Sequence, residues 1–262
     1  MKPWVSLLLF LSVGAHAADA CKPVRVGYSD RERLPYYVGN GPAVPERPGA
    51  LVELFREAVG KGGCPVVFVR LPAARVRMAL ASGKIDIAPA YTPGDRRADY
   101  VVATVAGGEV DTRRALRSMA IVFVRSEDKL APGTDPERYF KSHMLAANQG
   151  TVLASQLKTA GLQVDDGSVS SESNFDKLLL KRVDGFTVAV MTPSALDPYL
   201  NEHHGKQLTR LDKPLSASYV WLGANRDYYQ RNRQQVEAIW NWLGTHGAQE
   251  LDALTRKYAA AP

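Results

Sequence analysis

Arginine occurs in adjacent pairs at Arg96-Arg97 and Arg113-Arg114. A guanidinium is a planar fork of N–H donors that stays charged at physiological pH, and it suits planar anions through two parallel hydrogen bonds. Farther along, Gly150-Thr151 precedes a segment with helical periodicity. Backbone N–H groups at a helix start lack intrahelical partners and favour an anion, while the Thr151 hydroxyl serves as a further donor or as an ordinary N-cap. These groups suit the capture of a small anion. Groups for acid–base chemistry occur singly: Glu109, Glu172 and His143 carry suitable side chains but stand in no catalytic constellation. There is no G-x-S-x-G, no H-E-x-x-H and no metal-ligand spacing, so neither an enzyme nor a cofactor is expected. The His203-His204 pair falls in a polar stretch and reads as a surface loop.

The elements that must position these groups follow a simple alternation. Val24 to Tyr28 reads as a strand ending in a polar loop, and Ala50 to Gly60 as an amphipathic helix with Leu51, Leu54, Phe55, Ala58 and Val59 on one face. Val66 to Arg70 is a short strand. Pro72 opens a second helix, carrying Val76, Met78 and Leu80, that Gly83 closes, and Ile85 to Ala88 is a third strand. Strand and helix alternating through short connections imply a parallel sheet with right-handed crossovers, whose ligands bind at the carboxyl ends of the strands. That rule puts Tyr91 and Thr92 on the functional rim, with Arg75 nearby at the start of the second helix.

A second α/β pattern begins after the strand Ala120 to Val124. It runs through a strand at Met144 to Ala147, a helix from Val152 to Ala160, and a polar stretch from Val169 to Ser173. Asn174 is placed to cap a helix bearing Phe175, Leu178 and Leu179. A strand follows from Val183 to Val190, and Thr192-Pro193 opens another helix. Ala217 to Leu222 returns as a strand, Tyr228 to Leu243 is a helix, and a last short helix carries Leu251, Leu254 and Tyr258.

The first 20 residues stand outside this pattern. Lys2 precedes an apolar run from Val5 to Val13, and small residues follow at Ala15-His16-Ala17 and Ala18-Asp19-Ala20. This reads as a cleaved secretory signal peptide; the run is about half the ~20 apolar residues of a spanning helix. A periplasmic location is therefore expected. Two cysteines remain, Cys21 and Cys64, and an oxidising compartment with an even count favours a disulfide. Each precedes a strand by two or three residues, so both would reach one sheet edge if those strands are parallel neighbours. The competing reading makes Cys21 a lipidated N-terminal residue and leaves Cys64 unpaired. The chain of 262 residues is 45% hydrophobic and 23% charged, ordinary globular composition. Its net charge of +6, from 33 basic against 27 acidic residues, is scattered rather than clustered, so no nucleic-acid partner is expected.

Four segments resemble the periplasmic solute-binding proteins of the amino-acid-binding family, family 3, with the type II periplasmic-binding fold. They are Gly49-Ala50-Leu51-Val52-Glu53-Leu54, Leu80-Ala81-Ser82-Gly83-Lys84-Ile85-Asp86-Ile87, Thr92 to Tyr100, and Gln149-Gly150-Thr151 followed by Lys181-Arg182-Val183-Asp184-Gly185. The resemblance implies an α/β fold of two lobes, each a mostly parallel sheet flanked by helices, with a two-segment hinge. Lobe 1 would be discontinuous, residues 21–122 plus 218–262, and lobe 2 would be residues 126–214. It further implies that an arginine of the Thr92 loop holds a ligand carboxylate. The loop carries one residue more than the family pattern, so Arg96 and Arg97 compete, and alignment on Tyr100 favours Arg97. An aromatic side chain from the region of Tyr28 and Tyr36 would stack on the ligand. The family's second-lobe aspartate, which holds a ligand ammonium, has no counterpart, because Ala189 stands there. A buried ammonium without a counter-charge is costly, so an organic anion without an amine fits better than an ordinary α-amino acid. The implied partner is a transporter permease or a receptor in the membrane, and the protein itself is expected to be a monomer. An exported dehydratase-like enzyme on the same fold is the alternative.

Overall fold

The computed structural model of the chain describes residues 21–90 and 99–259. The first lobe opens with β1 (Val24–Ser29), α1 (Ala50–Gly60), β2 (Val66–Leu71), α2 (Ala73–Ala81), β3 (Ile87–Ala90) and the short β4 (Tyr100–Val101). Strand β5 (Leu116–Arg125) leads into the second lobe, which contains α3 (Pro136–Tyr139), β6 (Leu145–Asn148), α4 (Val152–Thr159), β7 (Val164–Ser168), α5 (Ser171–Leu179), β8 (Gly185–Val190), α6 (Asp197–His203) and β9 (Leu208–Arg210). Strand β10 (Ser216–Asn225) returns to the first lobe, where α7 (Arg226–Arg231) and α8 (Arg233–Ala259) complete the chain.

The principal strand order is β2-β1-β3-β10-β5-β8-β6-β7. Strand β1 is parallel to β2 and β3, and β6 is parallel to β7 and β8. The long strands β5 and β10 join the two groups. Residues 221–224 of β10 pair antiparallel with β3, whereas residues 216–220 pair antiparallel with β5. Strand β5 in turn pairs with β8 from Met119 to Phe123. Each crossing strand thus begins in one lobe and ends in the other, which is the expected two-lobed arrangement with a two-segment connection.

Local sequence explains most elements. Helix α1 has the expected bounds because its apolar residues recur at helical spacing and all face the core. Gly49 precedes it with φ +114°, and a Cβ there would overlap the Tyr36 carbonyl, so only glycine fits. The β1–β2 register, Val24 opposite Val66, brings Cys21 and Cys64 to one edge, where they form a disulfide with Cα atoms 5.4 Å apart.

Five expectations need correction. Helix α5 starts earlier than expected: Ser170 is its N-cap, accepting from the Ser173 N–H, and Asn174 lies buried within it. Strand β7 was not anticipated, since its edge sequence Val-Asp-Asp-Gly-Ser lacks an apolar pattern. Thr192-Pro193 opens no helix; α6 begins at Asp197, with Pro198 in its first turn, and His203 lies in that helix rather than in a loop. Met78 is 64% exposed, and the core face of α2 is Val76, Ala79 and Leu80. Finally, α8 runs unbroken for 27 residues through Gly244 and Gly247. A Cβ at Gly244 would sit 2.8 Å from the Arg113 carbonyl, so this glycine permits close helix–chain approach instead of ending the helix.

Candidate ligand-binding cleft

The two lobes face each other across a cavity of about 500 Å³. Arg77 of α2 lines it from the first lobe; from the second, Gly150, Thr151, Val152, Ser155, Gln156, Thr159 and Ala160 line it along the whole length of α4. Gly150 takes φ +71° and turns the chain from β6 into α4. The exposed Thr151 is the N-cap: its hydroxyl accepts from the Ala154 N–H at 3.2 Å and donates to the Asn148 carbonyl at 2.8 Å. A polar chain behind it fixes this turn. Buried Asn174 donates to Asn148 Oδ1 at 2.8 Å, and Asn148 Nδ2 donates to Ser171 Oγ at 3.0 Å. The cavity follows one side of α4 from the N-cap Thr151 to the C-cap Ala160, so the N–H groups of the first turn border one end of it, with Arg77 lining it from α2.

The structure separates the remaining sequence-derived candidates. Arg75 is exposed on α2 but does not line the cavity; Arg77, two residues on and about 200° around the helix, does. Tyr28 is fully buried at the end of β1. Its ring lies 5.4 Å from the Arg70 guanidinium and 5.5 Å from Tyr37. Arg70 donates to the carbonyls of Gly39 and Ala43 and so ties the loop after β1 over the sheet. Burial pushes the Tyr28 phenol upward, against the opposing charge of Arg70. Tyr36 is also fully buried. Its hydroxyl accepts the Met191 N–H at 2.8 Å and the Thr192 N–H at 3.1 Å, spanning the two lobes. Tyr91, Thr92, Arg96 and Arg97 lie outside the described residues, beyond Ala90 at the carboxyl end of β3.

The candidate acid–base groups sit on separate elements. Glu109 is in the turn where the Val105 N–H meets its carbonyl, Glu172 is in the first turn of α5, and the His143 ring stacks on Tyr139 at 3.9 Å. His203 stacks on Tyr199 at 4.2 Å. Among the described residues no group of three His, Cys, Asp or Glu is arranged to hold a metal, and no helix is long and apolar enough to cross a membrane. Sequence reasoning missed Arg77 as a lining residue; a helical projection of α2 puts it on the flank of the face that carries buried Val76, Ala79 and Leu80. It also missed the Met191 and Thr192 donors, which are backbone groups and carry no residue-type signal.

The element order, the two crossing strands and the cleft between lobes define the type II periplasmic-binding-protein fold. The chain is similar to the ligand-binding core of GluR0 in complex with L-glutamate, at 13% identity, with a TM-score of 0.67 over 92% of this chain and 100% of that one. It is similar to AbpA, an amino-acid ABC transporter substrate-binding protein from Streptococcus pneumoniae bound to L-arginine, at 14% identity, with a TM-score of 0.63 over 90% and 94% of the two chains. It is likewise similar to a histidine kinase sensor domain resembling periplasmic binding proteins, at 17% identity, with a TM-score of 0.63 over 90% and 96%. No protein-family profile and no curated protein matches the chain.

Proposed function

We propose that this protein is an extracytoplasmic solute-binding protein that holds a small organic anion between its lobes and delivers it to a membrane transporter. The observation that carries this reading is the interlobe cavity, lined by Arg77 on one side and on the other by α4 from its N-cap Thr151 to Ala160. Arg77 and the N–H groups at the Thr151 end favour negative charge. In this reading lobe 1 comprises residues 21–122 and 218–262, lobe 2 comprises residues 126–214, and residues 1–20 are a signal peptide that lies outside the described residues. Arg97 supplies the bidentate contact to the anion, with Arg96 beside it and Tyr91 and Thr92 on the same rim, and the protein acts as a monomer without chemistry on its ligand. The solved proteins with this fold include a glutamate-bound core and an arginine-bound transporter component, which supports a small-molecule ligand and a membrane partner. Position 189, where an amino-acid binder would carry a carboxylate, is Ala189, which favours an anion without an amine.

A sensory role for the same cleft is the second reading, and the likeness to a histidine kinase sensor domain favours it. It changes the membrane partner and leaves the ligand chemistry as stated.

The test is a thermal-shift panel on protein stripped of carried-over ligand by unfolding and refolding. A compound that binds only the folded state raises the melting temperature. Organic acids are expected to raise it and α-amino acids to have no effect, and Arg97→Ala is expected to weaken the organic-acid response by roughly tenfold or more. A response confined to amino acids would overturn the anion assignment. Consumption of a panel compound would overturn the binding-only reading.

A further inference from the structure

The lobes are joined by a contact that a ligand site does not require. Tyr36 is rooted in the first lobe at both of its backbone groups. Its N–H donates to the Arg33 carbonyl at 2.8 Å, and its own carbonyl accepts the Leu51 N–H at 3.3 Å. Gly49, with no room for a Cβ, presses against that carbonyl. The ring is fully buried and lies 5.2 Å from the Arg33 guanidinium. From this fixed base the phenol oxygen reaches the second lobe, where two successive N–H groups, those of Met191 and Thr192, converge on it. Successive N–H groups aimed at one point form a concavity of the kind that binds anions, and here the Tyr36 hydroxyl oxygen fills it as the acceptor. Met191 directly follows β8, whose Val190 pairs with Met119 of the crossing strand β5. The contact therefore lies beside the connection between lobes, on residues that do not line the cavity.

We propose that Tyr36 is an interlobe clasp: its hydroxyl holds the Met191–Thr192 turn against the first lobe and favours the closed arrangement of the cleft. Tyr36 is then a positioning residue that acts through lobe closure, and phenylalanine at this position would keep the packing while deleting the clasp. The consequence for ligand retention rests on the binding function proposed above; the clasp itself does not.

Hydrogen–deuterium exchange on the refolded, ligand-free full chain tests it, comparing wild type, Tyr36→Phe and Tyr228→Phe. Tyr228 is a first-lobe phenol bonded to Gln235 and serves as the matched hydroxyl deletion. In Tyr36→Phe the Met191 and Thr192 amides are expected to exchange about tenfold faster, as loss of two hydrogen bonds implies. The amides of β1 stay at wild-type rates, and Tyr228→Phe leaves Met191 and Thr192 unchanged. Wild-type exchange at both amides in Tyr36→Phe would overturn the clasp. So would equal acceleration throughout β1, because Tyr36 would then be a core residue and no more. Succinate, added as the probe, reports separately: failure to bind counts against the anion reading, while the exchange rates alone decide the clasp.

Discussion

Single side chains in this protein are tied into pairs whose chemistry sets its response to pH. Arg25 on β1 grips Asp86 with its Nε at 3.0 Å and a terminal nitrogen at 2.6 Å, which anchors the turn between α2 and β3. Burial, with a contribution from the Asp86 charge, pushes the Tyr228 phenol up to about 12. Burial and a hydrogen bond to Glu53 push Tyr258 up to about 12 as well. An unfolded phenol titrates near 10, so between these values the folded state holds protons that the unfolded state has lost. The stabilising contribution is fully present below about pH 10 and disappears as the pH rises toward 12. The melting temperature is therefore expected to fall steeply from about pH 10 to 12, and Tyr228→Phe to flatten that fall. A flat profile in the wild type would contradict the burial of these phenols. The Gly-Lys-x-Asp segment containing Asp86 was visible as a motif, but its arginine partner, 61 residues earlier, was not.

At the scale of elements, the junction of the loop after β1 with α1 is the most constrained. Gly49 combines a left-handed φ of +114° with contact against the Tyr36 backbone. Gly49→Ala is expected to cost at least about 2 kcal/mol, measured by chemical denaturation, because both the backbone conformation and the space exclude a side chain. Helix α1 itself was legible to the residue, since its apolar spacing and flanking glycines agree. Helix α8 was not. Gly244 and Gly247 look like breaks until the close approach of the Arg113 carbonyl and of Leu116 shows what they accommodate. Strand β7 was hidden for the opposite reason: an edge strand held by backbone pairing to β6 needs few apolar residues.

For the whole molecule, the architecture places a cleft between two lobes joined by the crossing strands β5 and β10. The Cys21–Cys64 disulfide clips the first lobe at the start of β1 and closes a sequence separation of 43 residues. Cross-linking a loop of that length restricts the unfolded chain, and its removal by reductant or by Cys64→Ser is expected to lower stability by about 2–4 kcal/mol. Denaturant midpoints with and without reductant check this; equal midpoints would show that β1–β2 pairing alone secures the edge.

The sequence by itself determined the alternation of strands and helices and the glycine-threonine entry to α4, which depend on periodicity and turn chemistry and are local. It favoured the parallel core of the first lobe and the disulfide pair, the latter from an even cysteine count and an oxidising compartment, and the β1–β2 register brought Cys21 and Cys64 together. Only the tertiary structure decided that Arg77 rather than Arg75 lines the cavity, that Tyr28 lies under a loop held by Arg70, and that Tyr36 joins one lobe to the other. Those outcomes depend on which surfaces meet across separations of 42 residues (Tyr28 to Arg70), 74 (Arg77 to Thr151) and 155 (Tyr36 to Met191), and on backbone donors such as Met191 and Thr192, whose residue types carry no trace of the role.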